Sequence, residues 1–281
     1  MVAPQRRPLD ILTLRDGEVH LWAARISAAQ DELSTLAALL SSVESRRALR
    51  YRFANARQRF IVGRGLLRRI LGQYLRASPE ELQLQQEPSG KPYLSGRGQT
   101  WLCFNVAHSN DLLLVAVTRG RRIGVDVEHV EGFDPTSFLL KRFFSAGERR
   151  ALEACTSTAK HRLLLSLWTC KEACGKAAGV GLASPLPSFE SSLRRRSDWL
   201  GDVKAVQWSA SGNGCLPIAD ASGCTVISWD TPGGSGLWVL QPFEPAPEYV
   251  AAVALEVSPA LSSALPVVPT ALSLCFFAAP C

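Results

Sequence analysis

The sequence predicts an α+β protein made of two successive halves, each running from helix into strands. Residues from Arg46 to Arg76 carry apolar side chains near helical period and are followed by apolar strand-forming runs. A second helical region from Ser145 to Ala178 is again followed by strand-like runs, up to Leu255. With 281 residues, 47% hydrophobic and 20% charged, the chain is ordinary for a globular protein with a packed core.

Taken in order, residues 18 to 24 predict a short strand. Phe60, Leu67, Leu71 and Tyr74 mark one face of a helix over Arg46 to Arg76, weakened slightly by Gly63, Gly65 and Gly72. SPEEL at Ser78 is a helix start, with serine to cap and proline at the first helical position, and EPSGKP then turns the chain. WLCFNV from Trp101 and LLLVAV from Leu112, joined through SND, predict a hairpin. IGVDVEH from Ile123 alternates with period two and adds a third strand, so the first half reads as helix plus three-stranded meander. SAGE at Ser145 offers a capping box in which Glu148 reaches back, and the helix resumes from Ala159 until Gly179 and Gly181 stop it. CTVISW, GLWVLQPF and YVAAVAL supply the later strands. The stretch from Ser258 to Cys281 is apolar, uncharged and interrupted by prolines; it is expected to add nothing to the chemistry.

The formal charge is +6, and 25 of the 31 basic residues are arginine, the side chain suited to forked contacts with phosphate or carboxylate. Fourteen of those arginines fall within residues 1 to 76, so an anionic partner is expected there, or else a solvated helical face. The eight cysteines include no CxxC pair, which excludes a zinc site and a disulfide framework. Charges in the first residues break any signal peptide, no run is suited to spanning a bilayer, and a soluble cytoplasmic protein is expected. GxxxxGK[ST], GxGxxG and GxSxG are all absent, which argues against nucleoside triphosphate binding and against a hydrolase triad at His108 and Ser109.

On the strand GVDVE, Asp126 and Glu128 share a face. Two carboxylates so close can chelate one hard divalent ion such as magnesium; the pair also fits a half-exposed strand with a polar face. Glu172 and Lys176, four apart on a helix, are neighbours, with Trp168 one turn earlier and Gly175 beside them. They form either a surface ion pair or, joined to Asp126 and Glu128, a three-carboxylate magnesium site with a lysine to neutralise a departing phosphate. His108 ends a strand, where side chains are exposed, and Lys91 sits in the GKP turn.

The order GKPYL, FNVAHS, IGVDVE, FFSAGE and LWTCKEACGKAAGVGL resembles the Sfp-type phosphopantetheinyl transferases, from about Leu36 to Leu255. ARQRFIVGRGLLRRIL is similar to that family's amino-terminal helix. The resemblance implies a pseudo-dimer of two similar helix-plus-three-stranded-sheet halves, with coenzyme A bound at their junction. It implies a boundary near Gly120, giving subdomains 1–120 and 121–257 before the 258–281 tail. It assigns magnesium to Asp126, Glu128 and Glu172 against the pyrophosphate, which Lys176 also touches. Arg59, Lys91 and His108, with Ser109, would hold the nucleotide end; Arg46 and Arg50 extend that surface or form a solvated face. One departure is Ala107, where many relatives have serine.

The implied reaction moves the 4'-phosphopantetheine arm of coenzyme A onto a serine of an apo acyl or peptidyl carrier protein, releasing adenosine 3',5'-bisphosphate. Glu172, or a metal-bound water, is the expected base. The carrier is expected to be acidic, and KRFF at Lys141 offers a basic and apolar contact for it unless Phe143 or Phe144 packs beneath the SAGE helix. A monomer could hold the whole site. The rival readings are a coenzyme A-binding homologue without catalysis and an arginine-rich nucleic-acid-binding protein, which would not need three acidic residues in a site.

Overall fold

The computed structural model describes residues 12–16, 18–96, 99–131, 137–155, 157–180, 215–217, 225–231, 234–257 and 271–276. The first half comprises β1 (Glu18–Arg25), α1 (Leu33–Ala38), α2 (Ser42–Leu49), α3 (Ala54–Leu75), the small hairpin β2 (Leu84–Gln86) and β3 (Pro92–Leu94), then β4 (Leu102–Ser109) and β5 (Leu112–Arg119). The second comprises β6 (Ile123–His129), α4 (Ser137–Phe143), α5 (Ala146–Glu153), α6 (Ser157–Ala178), β7 (Cys215–Pro217), β8 (Thr225–Thr231), β9 (Gly234–Ala246) and β10 (Tyr249–Val257), with β11 (Ala271–Phe276) closing the described chain.

One sheet has the order β4-β5-β1-β11-β7 and the other β6-β10-β9-β8. Within them, β4-β5-β1 and β9-β10-β6 are equivalent antiparallel triplets: a hairpin whose second strand pairs with the strand that opened the half. The α+β pseudo-dimer is thus present. The sheets pack face to face through Leu21, Leu114 and Ala116 on one side and Val125, Val127 and Val253 on the other. α3 covers the outer face of the first sheet through Val62, Leu66 and Ile70. α6 covers that of the second through Leu167, Cys170, Cys174 and Ala177.

Several local expectations change. The helix over Arg46 to Arg76 is two helices: after α2, Arg50 and Tyr51 bond back only three residues, to Arg47 and Ala48, and Phe53 is extended with ψ 133°. The Tyr51 ring rests on Phe60, centroids 5.4 Å apart, so a tertiary contact holds a corner that no glycine or proline signals. SPEEL forms only a 3-10 turn over Pro79–Glu81, and Ser78 makes no side-chain cap. The predicted meander is broken as well, because β6 leaves β5 at Gly120 (φ +63°) and joins the second sheet through β10. Phe143 and Phe144 are both buried, so KRFF presents no apolar patch.

Other expectations hold. Ser145 and Glu148 form the reciprocal capping box, and Gly179 stops α6 at φ +76°; Gly181 lies outside the described residues. The terminal stretch, for which no element was expected, adds a strand, Ala271–Phe276, that pairs in parallel with β1.

Candidate active site

The junction of the halves is made where β4 lies against β6 without sharing a ladder. Asn105, buried on β4, accepts a hydrogen bond from Val125 N at 2.9 Å through its Oδ1. Four residues on, Ser109 Oγ donates to Glu128 Oε2 (2.9 Å) and accepts from His129 N (3.0 Å). The first half therefore braces the strand that carries the acidic pair. Ala107, between these two contacts, is buried in the core between the sheets.

Strand alternation does the rest on β6: Val125 and Val127 enter the core, while Asp126 and Glu128 project from the other face, toward α6. α6 can approach because residue 124 is glycine. A Cβ there would overlap the Ala173 carbonyl oxygen and lie 2.6 Å from Ala177 N. Glu172 and Lys176 immediately precede those two alanines, so this close contact brings both beside Asp126. Lys176 Nζ reaches Asp126 Oδ1 at 2.6 Å and the Val125 carbonyl at 3.2 Å. Trp168, one turn before Glu172, hydrogen-bonds Glu128.

Three carboxylates thus share a small, partly dry region, and each is pushed above its ordinary range. Burial raises Asp126 most, against the pull of Lys176. Burial and then the neighbouring Asp126 raise Glu128. Burial, then Asp126, push Glu172 up to about 7. Asp126 Oδ2 and Glu172 Oε1 are buried without a hydrogen-bond partner. Buried acidic oxygens that repel one another and lack donors suit a hard cation such as magnesium. Among the described residues, no three His, Cys, Asp or Glu side chains are grouped so that, as placed, they could hold a metal ion; Lys176 holds the remaining Asp126 oxygen, and Ser109 and Trp168 hold Glu128.

Arg59, on the exposed side of α3, and His108, at the exposed end of β4, border this region. The His108 imidazole is lowered by loss of water and then by the charges of Lys176 and Arg59, with Asp126 acting in the opposite sense. Lys91 is tied down: its ammonium donates to the Lys176 carbonyl at 2.7 Å and to Ile123 O at 3.3 Å. Burial lowers its pKa. Of the sequence-selected residues, Lys91, Ser109, Asp126, Glu128, Glu172 and Lys176 lie where β4, β6 and α6 meet, and His108 and Arg59 are within reach of their charges. Asn105 and Gly124 were missed; the signal for Gly124, a glycine in a strand facing a helix with alanines four apart, was present.

Residues 122–225 match the family described as the 4'-phosphopantetheinyl transferase superfamily, and residues 24–119 match the one described as 4'-phosphopantetheinyl transferase, N-terminal. The chain is 42% identical over 183 residues to the 4'-phosphopantetheinyl transferase HetI of Nostoc sp., covering 65% of this chain and 77% of that protein. It is 29% identical to a phosphopantetheinyl transferase of Thraustochytrium sp., covering 64% of this chain and 67% of that protein. It is also 29% identical to the 4'-phosphopantetheinyl transferase psf-1 of Bacillus pumilus, covering 59% and 69%.

Proposed function

The chain belongs to the 4'-phosphopantetheinyl transferase superfamily, and from that footing we propose how it transfers the phosphopantetheine arm of coenzyme A to a carrier-protein serine. The observation that carries the proposal is the gathering of Asp126, Glu128, Glu172 and Lys176, from both a strand and a helix, where two carboxylate oxygens are buried without donors. Asp126, Glu128 and Glu172 would hold magnesium. Bound there, magnesium would supply positive charge to the diphosphate of coenzyme A.

The chain's own groups do the remaining work. Glu172 accepts the proton of the carrier serine as its Oγ forms a bond to the phosphorus bearing the pantetheine arm. The bond from that phosphorus to the adenosine bisphosphate breaks, and the Lys176 ammonium stabilises the charge left on the departing adenosine 3',5'-bisphosphate. Arg59 and His108 hold the nucleotide end, and Lys91, fixed on two carbonyls, keeps one N–H for a phosphate oxygen. Ser109 keeps Glu128 oriented.

The acceptor is an acyl or peptidyl carrier protein. Among the described residues no helix is long and apolar enough to cross a membrane. Among the described residues, Cys103, Cys155, Cys170 and Cys174 are free thiols, in keeping with action in the reducing cytoplasm; the proposed site draws only on this one chain, so a monomer would suffice. The test is the intact mass of a purified apo acyl carrier protein after incubation with this protein, coenzyme A and magnesium. A gain of one phosphopantetheine arm, lost with Asp126→Ala and on removal of metal, is expected. Coenzyme A binding with no mass gain on several carriers would overturn the reading.

A further inference from the structure

We propose that the corner between α2 and α3 is the docking surface for the macromolecular substrate, a protein domain presenting an acidic helix with apolar side chains among its carboxylates. The proposal rests on the transferase reading above and names where its partner binds.

Leu49, the last residue of α2, is 73% exposed, and Phe53, which opens α3 four residues later, is 71% exposed. Val43, on α2, is exposed too. Core phenylalanines of this chain such as Phe144 are fully buried, so large apolar groups left in water at one corner mark a surface that something else covers. They stand in a field of one sign. From Ser45 to Pro79 the sequence has ten arginines and no aspartate or glutamate. Arg64 and Arg68 are engaged with the buried Glu44, Arg69 with Glu32, and Arg47 with Gln86. Arg46, Arg50, Arg52, Arg57 and Arg59 are exposed, and among the described residues none of them pairs with a carboxylate. The Arg52 guanidinium lies over the Phe53 ring, 5.9 Å from its centroid, so charge and apolar surface are offered together.

Position supplies the second argument. Arg59 is six residues, less than two helical turns, beyond Phe53, and its charge already reaches His108 beside Lys176 and Asp126. A protein that delivers a serine to Asp126, Glu172 and Lys176 must cover neighbouring surface, and this corner adjoins the site through α3. Phosphates of a nucleotide would employ the arginines but would leave Leu49 and Phe53 in water. An acidic helix with apolar side chains covers both.

The test uses two variants of the full chain, Leu49→Ser/Phe53→Ser and Arg52→Glu/Arg57→Glu, all at exposed positions. Each is assayed for transfer to an apo acyl carrier protein and for direct binding, by titration calorimetry, of that carrier with its acceptor serine changed to alanine. The expected result is a KM for carrier and a dissociation constant each raised about tenfold, with KM for coenzyme A and kcat at saturating carrier within about twofold of the parent. The charge-reversed variant should also lose most of the salt dependence of carrier binding. Unchanged carrier binding in both variants overturns the proposal. A rise in KM for coenzyme A instead assigns the corner to the nucleotide, and loss of binding to a fluorescent oligonucleotide with carrier binding intact assigns it to nucleic acid; either overturns it. Failure of the parent to modify any carrier, with the serine-to-alanine carrier still bound at this corner, would sink the transferase reading and leave the surface standing.

Discussion

Lys171 Nζ lies 3.1 Å from Glu148 Oε2, with both side chains almost wholly buried. Glu148 is the third residue of α5 and completes its capping box, accepting from Ser145 N at 2.7 Å, so the pair ties the start of one helix to the middle of α6. The first half repeats the device: Glu44 caps α2 through Ser41, and the buried Arg68 of α3 donates to it at 2.7 Å. Counting from Ala54 and from Ser157, Arg68 and Lys171 are each the fifteenth residue of a 22-residue helix. This internal repeat is invisible as sequence identity because one half uses arginine and the other lysine.

Lys171→Met leaves Glu148 buried without its cation and should cost about 3–5 kcal/mol of unfolding free energy in urea. Lys171→Met with Glu148→Gln keeps a capping residue that carries no charge. The double variant should recover more than half of the loss. If it is as unstable as the single variant, the ion pair is not what the single change removed.

Asp126→Asn keeps the shape of the side chain and removes its charge. Transfer, measured as kcat/KM for carrier modification, should fall by at least about 10²–10³-fold while the circular dichroism spectrum is unchanged. Retention of a tenth of the parent activity would remove Asp126 from the site.

Glu172 carries a stability cost that depends on pH. Its folded pKa of about 7 lies above the ordinary 4.5, so between these values the folded state holds a proton that the unfolded state has lost. Raising pH through this window therefore lowers the stability of the metal-free protein, and above about 7 the full cost is present. Glu172→Gln should raise the melting temperature at pH 8 by roughly 2–4 °C, leave it nearly unchanged at pH 4.5, and abolish transfer. Equal stabilisation at both pH values would mean that packing, not charge, is responsible.

Gly124→Val places a side chain against the backbone of α6 at Ala173 and Ala177. Overpacking should cost about 1–3 kcal/mol, and because Glu172 and Lys176 ride on the displaced helix, coenzyme A binding should weaken with it. Loss of stability with calorimetric coenzyme A affinity intact would show that the helix can shift without disturbing the site.

What was legible in the sequence was local. The alternation of GVDVE, the SAGE capping box and the hairpin through SND are each decided within a few residues, and the structure has all three. What was not legible depends on distant partners. Nothing within IGVDVEH says that it pairs with Tyr249–Val257 instead of the strand just before it. The corner at Arg50 to Phe53 is held by Tyr51 on Phe60, and the burial of Phe143 and Phe144 is set by α6 and the second sheet. Of the site, the acidic and basic groups stood out by type and spacing. Asn105 and Gly124 did not, because their part is to hold or admit other elements, and only the packing of β4 and α6 on β6 gives them one.

The two halves are joined at the exposed Gly120 by a link of three residues, Gly120 to Arg122, between β5 and β6. The acidic strand lies on one side of that link, and Asn105 and Ser109, which brace it, lie on the other. The acidic strand of one repeat takes its bracing from the other, so the chain behaves as a dimer whose partners can never drift apart. Tethering makes pairing independent of dilution, and one copy of the site is free to specialise: the position after Lys171 is the acid Glu172, whereas its counterpart after Arg68 is Arg69, bound to Glu32 and given over to structure.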